Sequence, residues 1–153
     1  MPAAPGDSIL RRMKMVPKLS LADVRVMMAA AELKAVEIGV DMDIAVCDDG
    51  GHLLMFVRMD AARVLSIQIA MDKAFTAACA RRSTRDYATA GAPGQPAFGI
   101  HASHQGRFAI FPGGLPVVVD GHVVGAVGCS SGHPDQDEAV ARAGVEALAA
   151  SLA

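Results

Sequence analysis

The sequence predicts an α+β fold: a five-stranded antiparallel sheet with helices on both faces. Three observations carry that expectation. Two apolar hairpins turn on Asp-Gly steps, one further short apolar strand follows a long loop, and several stretches repeat apolar residues at helical spacing.

The clearest hairpin runs from Leu115 to Val119 and from His122 to Val127, joined by Asp120-Gly121. Asp-Gly between β-branched runs suits a tight turn, because both central residues must accept positive φ. Glycine clusters flank it, Gly113-Gly114 before and Gly128-Cys-Ser-Ser-Gly132 after. Glycine leaves backbone N–H groups uncovered, so the two mouths read as a cradle for a small anion. The second hairpin pairs Ile44-Ala-Val-Cys-Asp-Asp49 with His52-Leu-Leu-Met-Phe-Val-Arg58 across the Asp49-Gly50-Gly51 turn. Its strands are apolar on both faces, as in a sheet covered on both sides. Arg107-Phe-Ala-Ile-Phe111 supplies the fifth strand.

Four helices are expected. Ser20 caps the first, which runs from Leu21 to Ile38 and stops at Gly39. The second spans residues 63–82, with Val64, Ile67, Met71, Ala74 and Ala78 on one side. Ser83-Thr84 caps a short third helix through Tyr87 and Ala88. The fourth opens near Asp135 and runs to Leu152, its acidic first turn complementing the helix dipole. Residues 91–106 read as a long loop, a length that is often functional inside a compact domain. Residues 1–17, with three prolines, read as a flexible arm before a single domain over 18–153.

Composition narrows the function classes. The chain has 153 residues, 52% apolar and 20% charged, which fits a filled core and excludes disorder. Net charge is −2 with both signs interspersed, so a nucleic-acid partner has no electrostatic footprint. No apolar run is long enough for a signal-peptide core or a membrane span, so a cytoplasmic location is expected. Cys47, Cys79 and Cys129 are odd in number and sit in apolar surroundings, as buried reduced thiols do.

Several residues are candidates for chemistry. Arg58, ending an apolar strand, is either paired with nearby Asp60 or a substrate clamp. Lys73 and Thr76 share a helix side, solvated or acting on a ligand together. Four histidines, His101, His104, His122 and His133, fall close in sequence. His101 and His104 form a metal half-site by spacing but lack a partnering Cys or Glu. They read as solvated residues or as a general acid and base, and no dedicated metal site is expected. Cys129 beside Ser130 and Ser131 invites a nucleophile reading, yet it continues an apolar strand without a nucleophile-elbow motif. Phosphate-loop and dinucleotide-binding glycine motifs are absent.

Taken in order, these blocks resemble the GlcG/HbpS-like (DUF336, haem-degrading) domain, also found at the C-terminus of PduO-type proteins. The resembling segments are Ala45-Val-Cys-Asp-Asp-Gly-Gly-His-Leu, Arg58-Met-Asp-Ala-Ala, Asp72-Lys-Ala-Phe-Thr-Ala, Gly113-Gly-Leu-Pro-Val, Asp120-Gly-His-Val-Val-Gly-Ala-Val-Gly-Cys-Ser-Ser-Gly and Gln136-Asp-Glu-Ala-Val-Ala. The resemblance implies a five-stranded sheet with profilin-like layering and homo-dimers that assemble further, often into octamers. It also implies haem as a cofactor, or a role beside catabolic enzymes. This chain departs from the pattern by lacking a histidine in its first helix, where haem-binding relatives use one, and by Cys129 and Ser131 in the glycine motif.

Three functional readings result. In the first, an oligomer binds haem or another anionic, partly apolar molecule, with Arg58, Lys73 and Thr76 meeting it beside Gly113, Gly114, Ser130 and Ser131. In the second, a cofactor-free enzyme acts on a reactive carboxylated catabolic intermediate by imine hydrolysis or tautomerisation. Arg58 then orients the substrate, while Asp60, His101 or His104 moves a proton. In the third, the protein is an oligomeric scaffold or accessory protein of a catabolic operon.

Overall fold

Asp120 and Gly121 both take positive φ, +48° and +75°, and turn β3 (Gly114–Val119) into β4 (His122–Ser130). The other hairpin joins β1 (Asp43–Asp48) to β2 (Leu53–Arg58). There the Asp48 carboxylate accepts from Gly50 N and His52 N at 2.8 and 2.9 Å, closing the turn. In this computed structural model, which describes residues 13–153, the strands form one antiparallel sheet in the order β2-β1-β4-β3. Each hairpin carries one register irregularity, at Val46/Cys47 and at Val117/Val118.

The sheet has four strands among the described residues, not the five expected. Arg107 to Phe111 is the segment that differs, and the reason is where its backbone polar groups go. The Thr76 hydroxyl accepts from Ala109 N at 2.9 Å and lies 3.2 Å from the Arg107 carbonyl oxygen. A side chain on a helix therefore takes the bonds a neighbouring strand would have taken. The segment is a tether laid on that helix.

Helix α1 (Leu21–Glu37) opens with a capping box in which Ser20 and Asp23 satisfy each other's backbone N–H groups. Together with α4 (Pro134–Leu152), it covers one face of the sheet. Val24, Met28, Ile44, Val46, Val127, Val140 and Leu148 fill the core between them. Helix α2 (Ser66–Ala80) covers the other face, and the short α3 (Thr84–Ala90) follows it. That second core is nearly all small: Ala45, Ala70, Ala74, Ala77, Ala78 and Ala126, with Cys47.

Small residues set how closely α2 approaches the sheet. A Cβ built on Gly128 would run into the Ala70 carbonyl oxygen and the Ala74 amide nitrogen. Gly128 is thus the contact point between β4 and the α2 backbone. Met13 to Pro17 are exposed and carry no helix or strand, while the rest of the expected arm lies outside the described residues. No described helix is long and apolar enough to cross a membrane.

Gly128→Ala must push α2 away from the sheet, so we expect a loss of about 3 kcal/mol or more. Gly121→Ala, with open space around it but positive φ, should lose only about 1–2 kcal/mol. Urea midpoints of the two variants check this, and equal losses would contradict the close-approach account.

Candidate functional site

The glycines at the start of β3 are enclosed rather than open. Gly113 has φ +123°, and a Cβ there would lie 2.7 Å from both the Cys129 carbonyl oxygen and Lys73 Nζ. A Cβ on Gly114 would meet the Lys73 carbonyl oxygen, and Thr84 Cγ2 at 2.6 Å. The cluster lets the chain lie directly on α2.

Lys73 is the group it lies against. Its side chain is 0% exposed, and Nζ donates to Asp137 Oδ2 at 2.7 Å and to the Cys129 carbonyl at 2.8 Å. The Phe111 ring sits 4.6 Å from Nζ and takes the remaining side of the ammonium. Burial pulls the Lys73 pKa below its ordinary value, against the opposing pull of Asp137. Asp137 Oδ1 in turn accepts from Gly132 N at 2.9 Å. Two donors of this lysine are bonded inside the protein and a ring covers another side, so the residue read as a ligand candidate sits in a buried ion pair. Thr76, one turn along α2, donates to the Asp72 carbonyl at 2.7 Å and holds the 107–109 tether.

Ser130 and Ser131 are buried where β4 ends. Ser131 Oγ donates to Asp43 Oδ2 at 2.9 Å and accepts from Arg63 N at 3.0 Å. Desolvation raises the Asp43 pKa, while Ser131 and the nearby Arg58 charge pull it back down. Arg58 stands opposite Asp43 in the β1–β2 register, and its charge acts on that carboxylate. Arg58 and Asp60 are both exposed, at the end of β2 remote from Leu53. Burial pushes the Cys47 thiol up to about 12 and the Cys129 thiol higher still, which leaves both as inert packing groups.

The histidines separate. His101 lines a cavity of about 300 Å3 between α2 and the chain that follows it, together with Ile69, Asp72, Phe108, Ile110 and Phe111. His104 instead packs edge-on against Phe75, with ring centroids 5.6 Å apart. His122 Nδ1 lies 2.9 Å from the Asp120 carbonyl, and His133 caps α4. Among the described residues, no three His, Cys, Asp or Glu side chains gather as a metal-binding group.

The residue that sequence reasoning missed is Arg107. Its Nε donates to Asp72 Oδ1 at 3.0 Å, and the guanidinium lies 4.0 Å over the Phe75 ring. It lines both the His101 cavity and a second cavity of about 350 Å3. Asp72 and Arg107 are 35 positions apart, so only knowledge that the loop returns to α2 could have paired them. A larger groove of about 520 Å3 between α1 and α4 is open, with Lys34 paired to Glu37 and Arg142 to Glu138 along its walls.

Comparison with known proteins agrees in fold and sequence. Residues 19–146 match the model of the family described as "Haem degrading protein HbpS-like". An uncharacterized 15.0 kDa protein from the dhaT-dhaS intergenic region of Citrobacter freundii is 39% identical over 137 residues, covering 90% of this chain and 96% of that protein. The crystal structure of Klebsiella pneumoniae protein ORFY superposes with a TM-score of 0.88 at 38% identity, covering 91% of this chain and 96% of that one. The crystal structure of a PduOC:Heme complex superposes with a TM-score of 0.83 at 28% identity, covering 86% and 95%.

Lys73→Ala leaves Asp137 buried without its partner, and we expect a loss of about 3–5 kcal/mol in urea unfolding. The double variant Lys73→Met/Asp137→Leu, which removes both charges, should recover much of that loss. A single variant within about 0.5 kcal/mol of the parent would contradict a structural role for the pair.

Proposed function

The chain belongs to the HbpS-like family, and from that membership we propose that it is a small-ligand-binding protein whose ligand is haem or another anionic, partly apolar molecule. The observation that carries this reading is the cavity beside Arg107: apolar side chains from α2 and the tether, an imidazole at the wall, and a guanidinium at the border. Cavities of this make-up, with a few polar groups on apolar walls, are how small-molecule sites are usually built. The relative captured as a haem complex shares the fold over most of this chain.

The residues fit haem in kind. His101 offers an imidazole nitrogen to an iron, and Arg107 offers donors to a propionate. Bound haem would supply an iron centre open to axial ligation and one-electron chemistry. Ile69, Phe108, Ile110 and Phe111 would exclude water from the macrocycle. A cavity of about 300 Å3, open to solvent, is at the small end for small-molecule sites. A second subunit is the natural cover. We accordingly expect a homo-dimer that builds toward an octamer, in the cytoplasm, with the exposed Val64, Leu65 and Phe98 among the surfaces buried.

Purified protein titrated with haemin, and separately with iron-free protoporphyrin IX, tests the reading. Both should bind, and His101→Ala should shift the haem Soret band while changing protoporphyrin affinity by less than about tenfold. Absence of binding by both porphyrins would overturn the proposal. An unchanged Soret band in His101→Ala would remove His101 as the iron ligand.

A further inference from the structure

Arg107 is held at every point except the face it would offer a ligand. Thr76 meets the Arg107 carbonyl and the Ala109 amide just after it, Asp72 Oδ1 takes Nε, and the Phe75 ring supports the plane of the guanidinium. Asp72 is itself fixed, because Oδ1 also accepts from Gln68 Nε2 at 2.9 Å. Among the described residues, Nε is the only guanidinium nitrogen of Arg107 in a hydrogen bond. The two terminal nitrogens carry four further N–H donors in a rigid fork, a geometry that matches the two oxygens of a carboxylate. The Arg107 side chain is 41% exposed against 0% for Lys73, so a ligand reaches the first and not the second.

The position of the fork is equally specific. It forms part of the wall of two cavities, one lined by Ile69 and Phe111, the other by Leu53, Met71 and Cys47. A cation bordering two mainly apolar lobes calls for an anion attached to an apolar body broad enough to enter both. Asp72 offsets the charge of Arg107, so the net field at this point is small. Recognition must therefore come from directed hydrogen bonds rather than from charge alone, which favours planar carboxylates over compact anions.

We propose that Arg107 is the carboxylate anchor of the ligand site, positioned by Asp72 and Phe75, and that the ligand is a carboxylic acid whose apolar body occupies both lobes. This rests on the small-ligand reading above, and the experiment separates the two. Protoporphyrin IX and its dimethyl ester, which lacks free carboxylates, are titrated in parallel and followed by porphyrin fluorescence. The free acid should bind about tenfold or more tightly than the ester. Arg107→Lys, which keeps the charge and loses the fork, should bring the acid down to the ester's affinity. Asp72→Asn should weaken the acid and leave the ester unchanged, a difference that general loss of structure would not produce. Leu53→Phe and Ile69→Phe each narrow one lobe, and both should weaken the acid, with unchanged circular dichroism confirming the fold. Equal binding of acid and ester, or full affinity in Arg107→Lys, overturns the anchor while leaving the small-ligand reading in place. Weakening by only one lobe variant overturns the two-lobed ligand. Failure of every porphyrin to bind removes both readings together.

Discussion

A buried ammonium must be met on every side, and in this protein the requirement falls on Lys73. Its three partners come from three places: the carboxylate of Asp137 at the start of α4, the Cys129 carbonyl at the end of β4, and the ring of Phe111 before β3. Desolvating the two charges costs several kcal/mol per ion, and their attraction returns that only when the geometry is good. The pair therefore acts less as a source of net stability than as a condition on shape. Any arrangement that separates α2, α4 and the end of β4 leaves a charge without a partner.

That condition explains features that look unrelated along the chain. Residue 113 is glycine because a side chain would occupy the place of the Lys73 ammonium. The pairing of β3 with β4 begins at Gly114 and Gly128, directly after the lysine has claimed the Cys129 carbonyl. Glycine 128 and the alanines of α2 then bring helix and sheet together until their backbones touch. With its inner face closed in this way, α2 is left with an outer face bearing Gln68, Ile69, Asp72 and Phe75. The chain between α3 and β3 returns to cover that face, and its cover is partial. The cavities beside Arg107 are the remainder.

How much of this could be read from the sequence depends on how far apart the interacting groups lie. The hairpins were legible because Asp120-Gly121 and Asp49-Gly50-Gly51 settle their geometry within a few residues. The helix starts were legible for the same reason, since Ser20 and Ser83 bond the backbone three positions on. Residues 107–111 were not. Their apolar character suits a strand and a tether equally, and the deciding group, Thr76, is more than thirty positions away. Lys73 shows the same limit from the other side. Helical spacing put it beside Thr76, but nothing local distinguishes a solvated lysine from one facing Asp137, 64 positions later. His133, one of the four histidines close in sequence, carried a local sign that was readable: Pro134 and Gln136 after it are the neighbours of a helix cap.

The division between frame and site has a chemical consequence. The frame uses its charged pair with no exposure to solvent, whereas the site uses Arg107 and Asp72 at the edge of water. A pair open to solvent on one side can exchange partners at low cost, because water replaces what is lost. In the proposed site, Asp72 holds Nε and the terminal nitrogens of Arg107 stay available to a carboxylate. Sequence changes in the segment from Gly91 to Phe111 would alter the lobe bearing His101 and leave the Lys73 contacts untouched, apart from Phe111 itself, which serves both. Under the proposed reading, the returning loop shapes the lobe bearing His101, and Phe111 is its residue least free to vary.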